Sequence, residues 1–167
     1  MEAQVCYPAA PRAIALDIDA ECGVAANAGL GSMVSGIAAA PTRRGPISVP
    51  SLLARLEQLS AATRPEAIIY RQPTRRGGLR RRRKLSELEH AVRTWAQSRG
   101  VECRGVSDFR MRRAFGLSGN CSGAEMVRAA WRRGFNPINQ HEANAIALLH
   151  VALSGGDVAA ETIANAR

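Results

Sequence analysis

Glu66-Ala67-Ile68-Ile69-Tyr70-Arg71 follows Pro65 as a short, unbroken apolar run that ends on a charge. A strand with one wet face alternates polar and apolar residues, whereas an unbroken run suits a strand covered on both faces and reached through a crossover helix. The residues just upstream supply such a helix, because Leu52, Leu53, Leu56 and Leu59 recur at helical spacing over about three turns. Residues 67–70 therefore predict a parallel neighbour for an earlier strand.

That earlier strand is 13–19, a short apolar segment carrying Asp17 and Asp19 near its end. Residues 23–28 and 33–39 read as two further strands, joined by Gly29-Leu30-Gly31 as a hairpin turn. A loop rich in Pro and Arg at 41–46 leads into the first helix. Downstream, Leu85, Leu88, Ala91, Val92 and Trp95 mark a second long helix closed by Gly100, and 101–106 reads as one more strand. The remainder is helical. Ser122-Gly123-Ala124-Glu125 has the form of a capping box ahead of Met126, Val127, Ala130 and Trp131, and Pro137 precedes a strongly apolar helix over 140–153, ended by Gly155-Gly156. The expected organisation is a flexible lead over 1–11, one domain over 12–154, and a tail or short helix over 155–167. Three strands, a helix, a strand, a helix, a strand and terminal helices imply an α/β fold with a mixed five-stranded sheet flanked by helices.

Composition narrows the function. A chain of 167 residues, 46% hydrophobic, can build one ordinary core. Its net charge of +9, from 23 Lys and Arg against 14 Asp and Glu, favours a polyanionic partner over the role of a metabolic enzyme. No apolar run reaches the roughly 18 to 20 residues that span a bilayer, and no basic-then-apolar signal opens the chain, so no membrane role and a soluble, intracellular protein are expected. Cys6, Cys22, Cys103 and Cys121 form no CxxC pair and are expected to be free thiols rather than zinc ligands or a redox pair.

The stretches Ala15-Leu16-Asp17-Ile18-Asp19, Ile69-Tyr70-Arg71-Gln72-Pro73 and His141-Glu142-Ala143-Asn144-Ala145-Ile146-Ala147-Leu148-Leu149 resemble, in order and spacing, the three active-site segments of RuvC-type Holliday-junction nucleases. Gly100-Val101-Glu102-Cys103-Arg104-Gly105-Val106-Ser107 and Arg132-Arg133-Gly134-Phe135-Asn136-Pro137 are similar to segments of phage-borne members. The resemblance runs over 12–153. It implies a ribonuclease-H-like fold, a branched or duplex DNA partner, a homodimer, and a setting in the cytoplasm of a bacterial or phage-infected cell. It also implies two divalent ions, Mg²⁺ or Mn²⁺, that activate water and stabilise a leaving oxygen.

The family's ligand positions fall on Asp17, Arg71, His141 and Asn144. Asp17 matches the first acid, and a structural carboxylate at a strand end is the plain alternative. Asp19 lies on the same side of the strand, where it reads as a substitute ligand or a loop acid. Arg71 stands where active members carry glutamate; a guanidinium binds no cation, so it either pairs bidentately with Asp17 or turns outward to the basic segment. His141 and Asn144 are spaced i, i+3 and share a helix face. His141 is compatible with ligation, so the metal-competent residues are Asp17 and His141; Asn144 lacks the charge of the expected aspartate. Glu142 is offset by about 100° and reads as a capping or solvated acid. With two of four positions unsuited, impaired or absent cleavage is expected, and a rebuilt metal site of Asp17, Asp19, His141 and Glu142 is the competing expectation.

Arg75, Arg76, Arg80, Arg81, Arg82, Arg83 and Lys84, with Gly77 and Gly78 among them, read as a basic loop able to grip phosphates without reading bases. The bland readings are a solvated loop or a docking element for an acidic protein, in an assembly module. Arg110, Arg112, Arg113, Arg128, Arg132 and Arg133 add charge on later helices. Trp95 and Trp131 read as core residues, so no base-stacking surface is expected. His90 and His150 lack companion ligands.

Overall fold

The computed structural model describes residues 11–29, 33–39, 47–73 and 77–154. Five strands, β1 (Ala13–Ile18), β2 (Cys22–Asn27), β3 (Met33–Ala39), β4 (Ala67–Arg71) and β5 (Glu102–Val106), form one sheet in the order β3-β2-β1-β4-β5. The first three are antiparallel neighbours, while β1 pairs β4 and β4 pairs β5 in parallel. The run at 67–71 is therefore the parallel partner of β1, and its three central residues are buried. The helices are α1 (Val49–Thr63), α2 (Leu79–Ser98), α3 (Asp108–Ala114), α4 (Gly123–Arg132) and α5 (Gln140–Leu153).

Helix α1 starts at Ser48, whose hydroxyl accepts from Ser51 N–H, and it ends on Arg64 in the left-handed region. Helix α2 begins at Leu79, several residues before its apolar stripe. Together α1 and α2 cover one sheet face, where Leu52, Leu56, Leu85, Leu88 and Val92 meet Ile14, Leu16, Ile68 and Tyr70. Each buried leucine there contributes roughly 2 kcal/mol of transfer free energy. Trp95 belongs to this core, its indole N–H donating to Glu57 at 3.0 Å.

The other face is built for close approach. Ala13, Ala15 and Ala25 on the sheet meet Ala143, Ala145 and Ala147 of α5, and small residues on both sides let the helix backbone lie near the strands. Gly23, opposite Asp17 in the β1–β2 register, carries the principle furthest: a Cβ there would overlap the carbonyl of His141 and the N–H of Glu142. Asn139 caps α5 by accepting from His141 and Glu142 N–H, and its amide donates to Glu21 Oε2 at 2.7 Å, tying the helix start to the β1–β2 turn. The capping box at Ser122 and Glu125 forms as the sequence suggests.

Two sequence expectations change. Trp131 lies outside the core, because α4 buries Met126, Ala129 and Ala130 at i, i+3, i+4 and leaves Trp131 55% exposed. Arg80 to Lys84 form the first turns of α2 rather than a loop. Arg75 and Arg76, the lead 1–10, the loop 41–46, Leu30 and Gly31 of the hairpin, and the tail 155–167 lie outside the described residues. Cys22, Cys103 and Cys121 are free thiols. No helix among the described residues is long and apolar enough to cross a membrane.

Candidate functional site

Strands β1, β4 and β5 run parallel and end side by side, with α1, α2, α3 and α5 all starting from the same end of the sheet. In open α/β sheets this carboxyl edge is where functional side chains collect. Five of the six candidate residues meet here.

Asp17 is wholly buried. Its Oδ2 accepts from His141 Nδ1 at 2.9 Å and from Asn144 Nδ2 at 3.0 Å, both projecting from the first turns of α5. Its Oδ1 faces Arg71 Nε at 2.5 Å. That contact is an ion pair without directed hydrogen-bond geometry, since both atoms lack a hydrogen-bond partner. The bidentate Asp17–Arg71 pair expected from the sequence is thus replaced by a fan: Arg71 gives Nε to Asp17, one terminal nitrogen to Asp19 at 2.8 Å, and the other to Asp108 at 3.4 Å.

The neighbouring charges close the cluster. Arg81, on the first turn of α2, reaches Asp19 Oδ1 at 2.5 Å, and Ala20 N–H donates to the same oxygen at 2.7 Å. Arg112, one turn along α3, lies 3.5 Å from Asp108 Oδ2. Three carboxylates are matched by three guanidiniums. Burial would push the Arg71 guanidinium towards losing its proton, but Asp17, Asp108 and Asp19 more than reverse this and hold it charged. For Asp19, burial pushes the carboxyl up, while the bonds from Arg81 and Ala20 and the Arg71 charge bring it below its ordinary value. The hydrogen bond to Asp17 raises His141 above the usual imidazole range against the opposing effect of its own burial.

Glu142 does not join this group. It is buried rather than solvated, with Oε1 accepting from Ser35 Oγ at 2.7 Å and Oε2 from Ile138 N–H at 2.8 Å, so it clamps β3 to the start of α5. Asp108 was the residue missed by sequence reasoning; the available signal was an acid two positions beyond the end of a parallel strand whose Val106 pairs with Arg71.

The cluster does not fit a hard divalent cation. Such an ion needs carboxylate oxygens with open lone pairs converging on one point. Here Asp17 and Asp19 turn their oxygens to arginine, imidazole and amide donors, and Asn144 presents N–H to Asp17. Among the described residues no group of three or more His, Cys, Asp and Glu side chains is placed to hold a metal. Asp17 and His141 bind each other instead.

The first turns of α2 border this edge. Asp19, Ala20, Ile47, Ser48, Arg80, Arg81, Arg83 and Lys84 share a cleft between the starts of α1 and α2, of about 740 Å³. Arg80, Arg81 and Arg83 are exposed there, and Arg82 is exposed outside the cleft.

No family model matches the chain, and no curated protein does. Solved structures do. RuvC of Thermus thermophilus superposes with a TM-score of 0.65 at 19% identity, over 86% of this chain and 96% of that one. The same organism's RuvC in complex with a Holliday junction substrate gives a TM-score of 0.67 at 20% identity, over 86% and 94% of the two chains. The likeness is one of fold: this is the ribonuclease-H-like α/β fold, as the order of elements in the sequence implies.

Proposed function

We propose that this chain is a RuvC-like DNA-binding protein that grips branched or duplex DNA through the basic start of α2 and has little or no nuclease activity. One observation carries the reading: Arg71 occupies the edge between Asp17, Asp19 and Asp108, in ion pairs with all three. A fixed cation there neutralises the carboxylates that would otherwise draw in a metal, so the electrostatic role of the ion passes to a side chain. Beside it, the exposed arginines of α2 offer many donors to phosphate oxygens and none tailored to a base edge. The Holliday junction bound to the Thermus thermophilus protein supports DNA as the partner class. A homodimer is part of the proposal, since a two-fold pair would present this basic edge twice to a branched substrate. The setting proposed is the cytoplasm of a bacterial or phage-infected cell.

Mg²⁺ or Mn²⁺ enters only if the site opens. The test is cleavage of a labelled four-way junction in each metal, read beside a gel shift, for the parent, Asp17→Asn, and the double variant Arg71→Glu with Asn144→Asp. Binding without cutting by the parent is the expected result. A parent that cuts, with Asp17→Asn inactive, would sink the proposal in favour of a rebuilt nuclease. Absence of salt-sensitive DNA binding would leave an assembly module as the better reading.

A further inference from the structure

Asp19 is held as a bound oxyanion is held. Its Oδ2 accepts from a terminal nitrogen of Arg71 at 2.8 Å, and its Oδ1 accepts from a terminal nitrogen of Arg81 at 2.5 Å and from Ala20 N–H at 2.7 Å. The donors come from the end of β4, the first turn of α2 and the β1–β2 turn. They converge on one carboxylate whose side chain is 14% exposed. Two guanidiniums and a backbone N–H make a donor set that takes phosphate oxygens as readily as carboxylate oxygens.

The space beside Asp19 suits a larger anion. Asp19 and Arg81 open on the cleft of about 740 Å³ between the starts of α1 and α2, and Arg80, Arg83 and Lys84 line it too. These cations crowd the positive end of the α2 dipole, where the first turn carries no acid and Gly78 offers no capping side chain. Like charges at that end repel one another and the dipole, so the start of α2 calls for a negative charge from elsewhere. Asp19 is the carboxylate that reaches Arg81. It supplies from within the chain what a phosphate would supply from solution.

We infer that Arg71, Arg81 and Ala20 N–H form a phosphate-binding site that Asp19 occupies as a built-in competitor, holding this part of the basic edge closed. The inference rests on the DNA-binding reading above and deepens it, since it names one phosphate site and the contact that restrains it. A phosphodiester of the DNA backbone is the ligand that reading implies, and a free phosphate offers the same chemistry. Removing the Asp19 charge should therefore strengthen binding, although the residue sits among ion pairs. Arg81 is where the gain arises: it is 46% exposed and stands in the cleft, whereas Arg71 keeps Asp17 and Asp108 as partners.

The experiment measures affinity for a labelled duplex against salt, for the parent, Asp19→Asn, Arg81→Gln and the double variant that joins them. Asp19→Asn should bind more tightly, with log affinity against log salt steeper by about 0.9, the equivalent of one more phosphate. Adding Arg81→Gln should remove both gains. A second arm exchanges sodium chloride for sodium phosphate at constant ionic strength and reads the melting temperature, which also reports folding. Phosphate should raise the melting temperature of Asp19→Asn and leave the parent and the double variant unmoved. Asp19→Ser, equally uncharged, repeats both arms if the new amide facing Arg71 unsettles the fold. An Arg81-dependent gain on DNA assigns the site to the backbone. A gain with phosphate alone keeps the site and makes a free phosphate its ligand, and if no variant binds DNA the functional reading fails separately. If the parent binds DNA but Asp19→Asn gains nothing in either arm, or its gain survives Arg81→Gln, the inference is overturned while that reading stands.

Discussion

Arg71 Nε lies 2.5 Å from Oδ1 of Asp17, a carboxylate with no exposure to solvent, while the guanidinium is itself only 11% exposed. Removing one partner of a buried pair leaves an uncompensated charge, at a cost of about 3 to 5 kcal/mol. The two partners are unequal. Arg71→Met strands Asp17 and releases Asp19 and Asp108 to Arg81 and Arg112, whereas Asp17→Asn leaves Arg71 with two other carboxylates. Arg71→Met should therefore be the more destabilising in urea unfolding. Equal losses would mean that Asp19 and Asp108 do not hold Arg71 once Asp17 is neutral, and that the Asp17 contact carries the pairing.

His141 supplies a pH signature. Its pKa is raised by the hydrogen bond to Asp17, so the folded state binds the imidazole proton more tightly than the unfolded chain does. The resulting stabilisation is fully present below the ordinary imidazole pKa of about 6.5 and is lost as pH rises through the higher folded value. NMR titration should place the His141 midpoint above about 6.5. In Asp17→Asn the elevation should shrink or vanish. A His141 midpoint at about 6.5 in the parent would show that the 2.9 Å contact does not persist in solution.

Most of the sheet was legible because its signals are local. Pro65 before an apolar run, leucines at helical spacing, and the Ser122 capping box each act within a few residues, and each falls where expected. Arg71 and Asp17 were legible as partners because parallel pairing of β1 with β4 follows from the crossover helix. What sequence could not supply was tertiary. Asp108 joins the cluster only because β5 lies beside β4, and whether Arg71 serves one carboxylate or three depends on how closely three strand ends gather. Trp131 sits one residue from a core position, and a periodicity with two adjacent apolar residues does not say which one turns inward. The basic run reads as a loop by charge and its two glycines, yet the leucine stripe of α2 extends its helix back through Arg80.

Gly23→Ala tests how the site is assembled without touching a charge. The added methyl group would overlap the backbone at His141 and Glu142, so the start of α5 must shift. Overpacking of this kind costs about 1 to 3 kcal/mol, and the displacement should also part His141 and Asn144 from Asp17. A lowered melting temperature together with a His141 midpoint returned towards about 6.5 is expected. A lowered melting temperature with the midpoint unmoved would show that the strand yields instead of the helix.

Metal binding separates the charge of the cluster from its shape. Isothermal titration with Mn²⁺ should detect no site at the cluster in the parent, since the Asp17 and Asp19 oxygens already receive arginine, imidazole and amide donors. Arg71→Glu with Asn144→Asp exchanges a cation and a neutral amide for two carboxylates, and should create measurable affinity that falls on adding Asp17→Asn. Tight Mn²⁺ binding by the parent, abolished by Asp17→Asn, would overturn the account of Arg71 as the internal counter-ion.

The arginines of α2 are not equivalent, and salt dependence should sort them. Arg81 is committed to Asp19 at 2.5 Å, whereas Arg83 is exposed on the turn that follows. Every duplex phosphate that a side chain neutralises adds about 0.9 to the steepness of log affinity against log salt. Arg83→Gln should flatten the slope by close to that amount, and Arg81→Gln by distinctly less, because the Arg81 charge is already balanced before DNA arrives. Arg81→Gln should instead raise the Asp19 pKa, whose depression depends on Arg81. That carboxylate's stabilising contribution, present above its unfolded pKa and lost as pH falls through the folded one, would then be smaller. Equal slopes for the two variants would mean that Arg81 leaves Asp19 for phosphate when DNA binds.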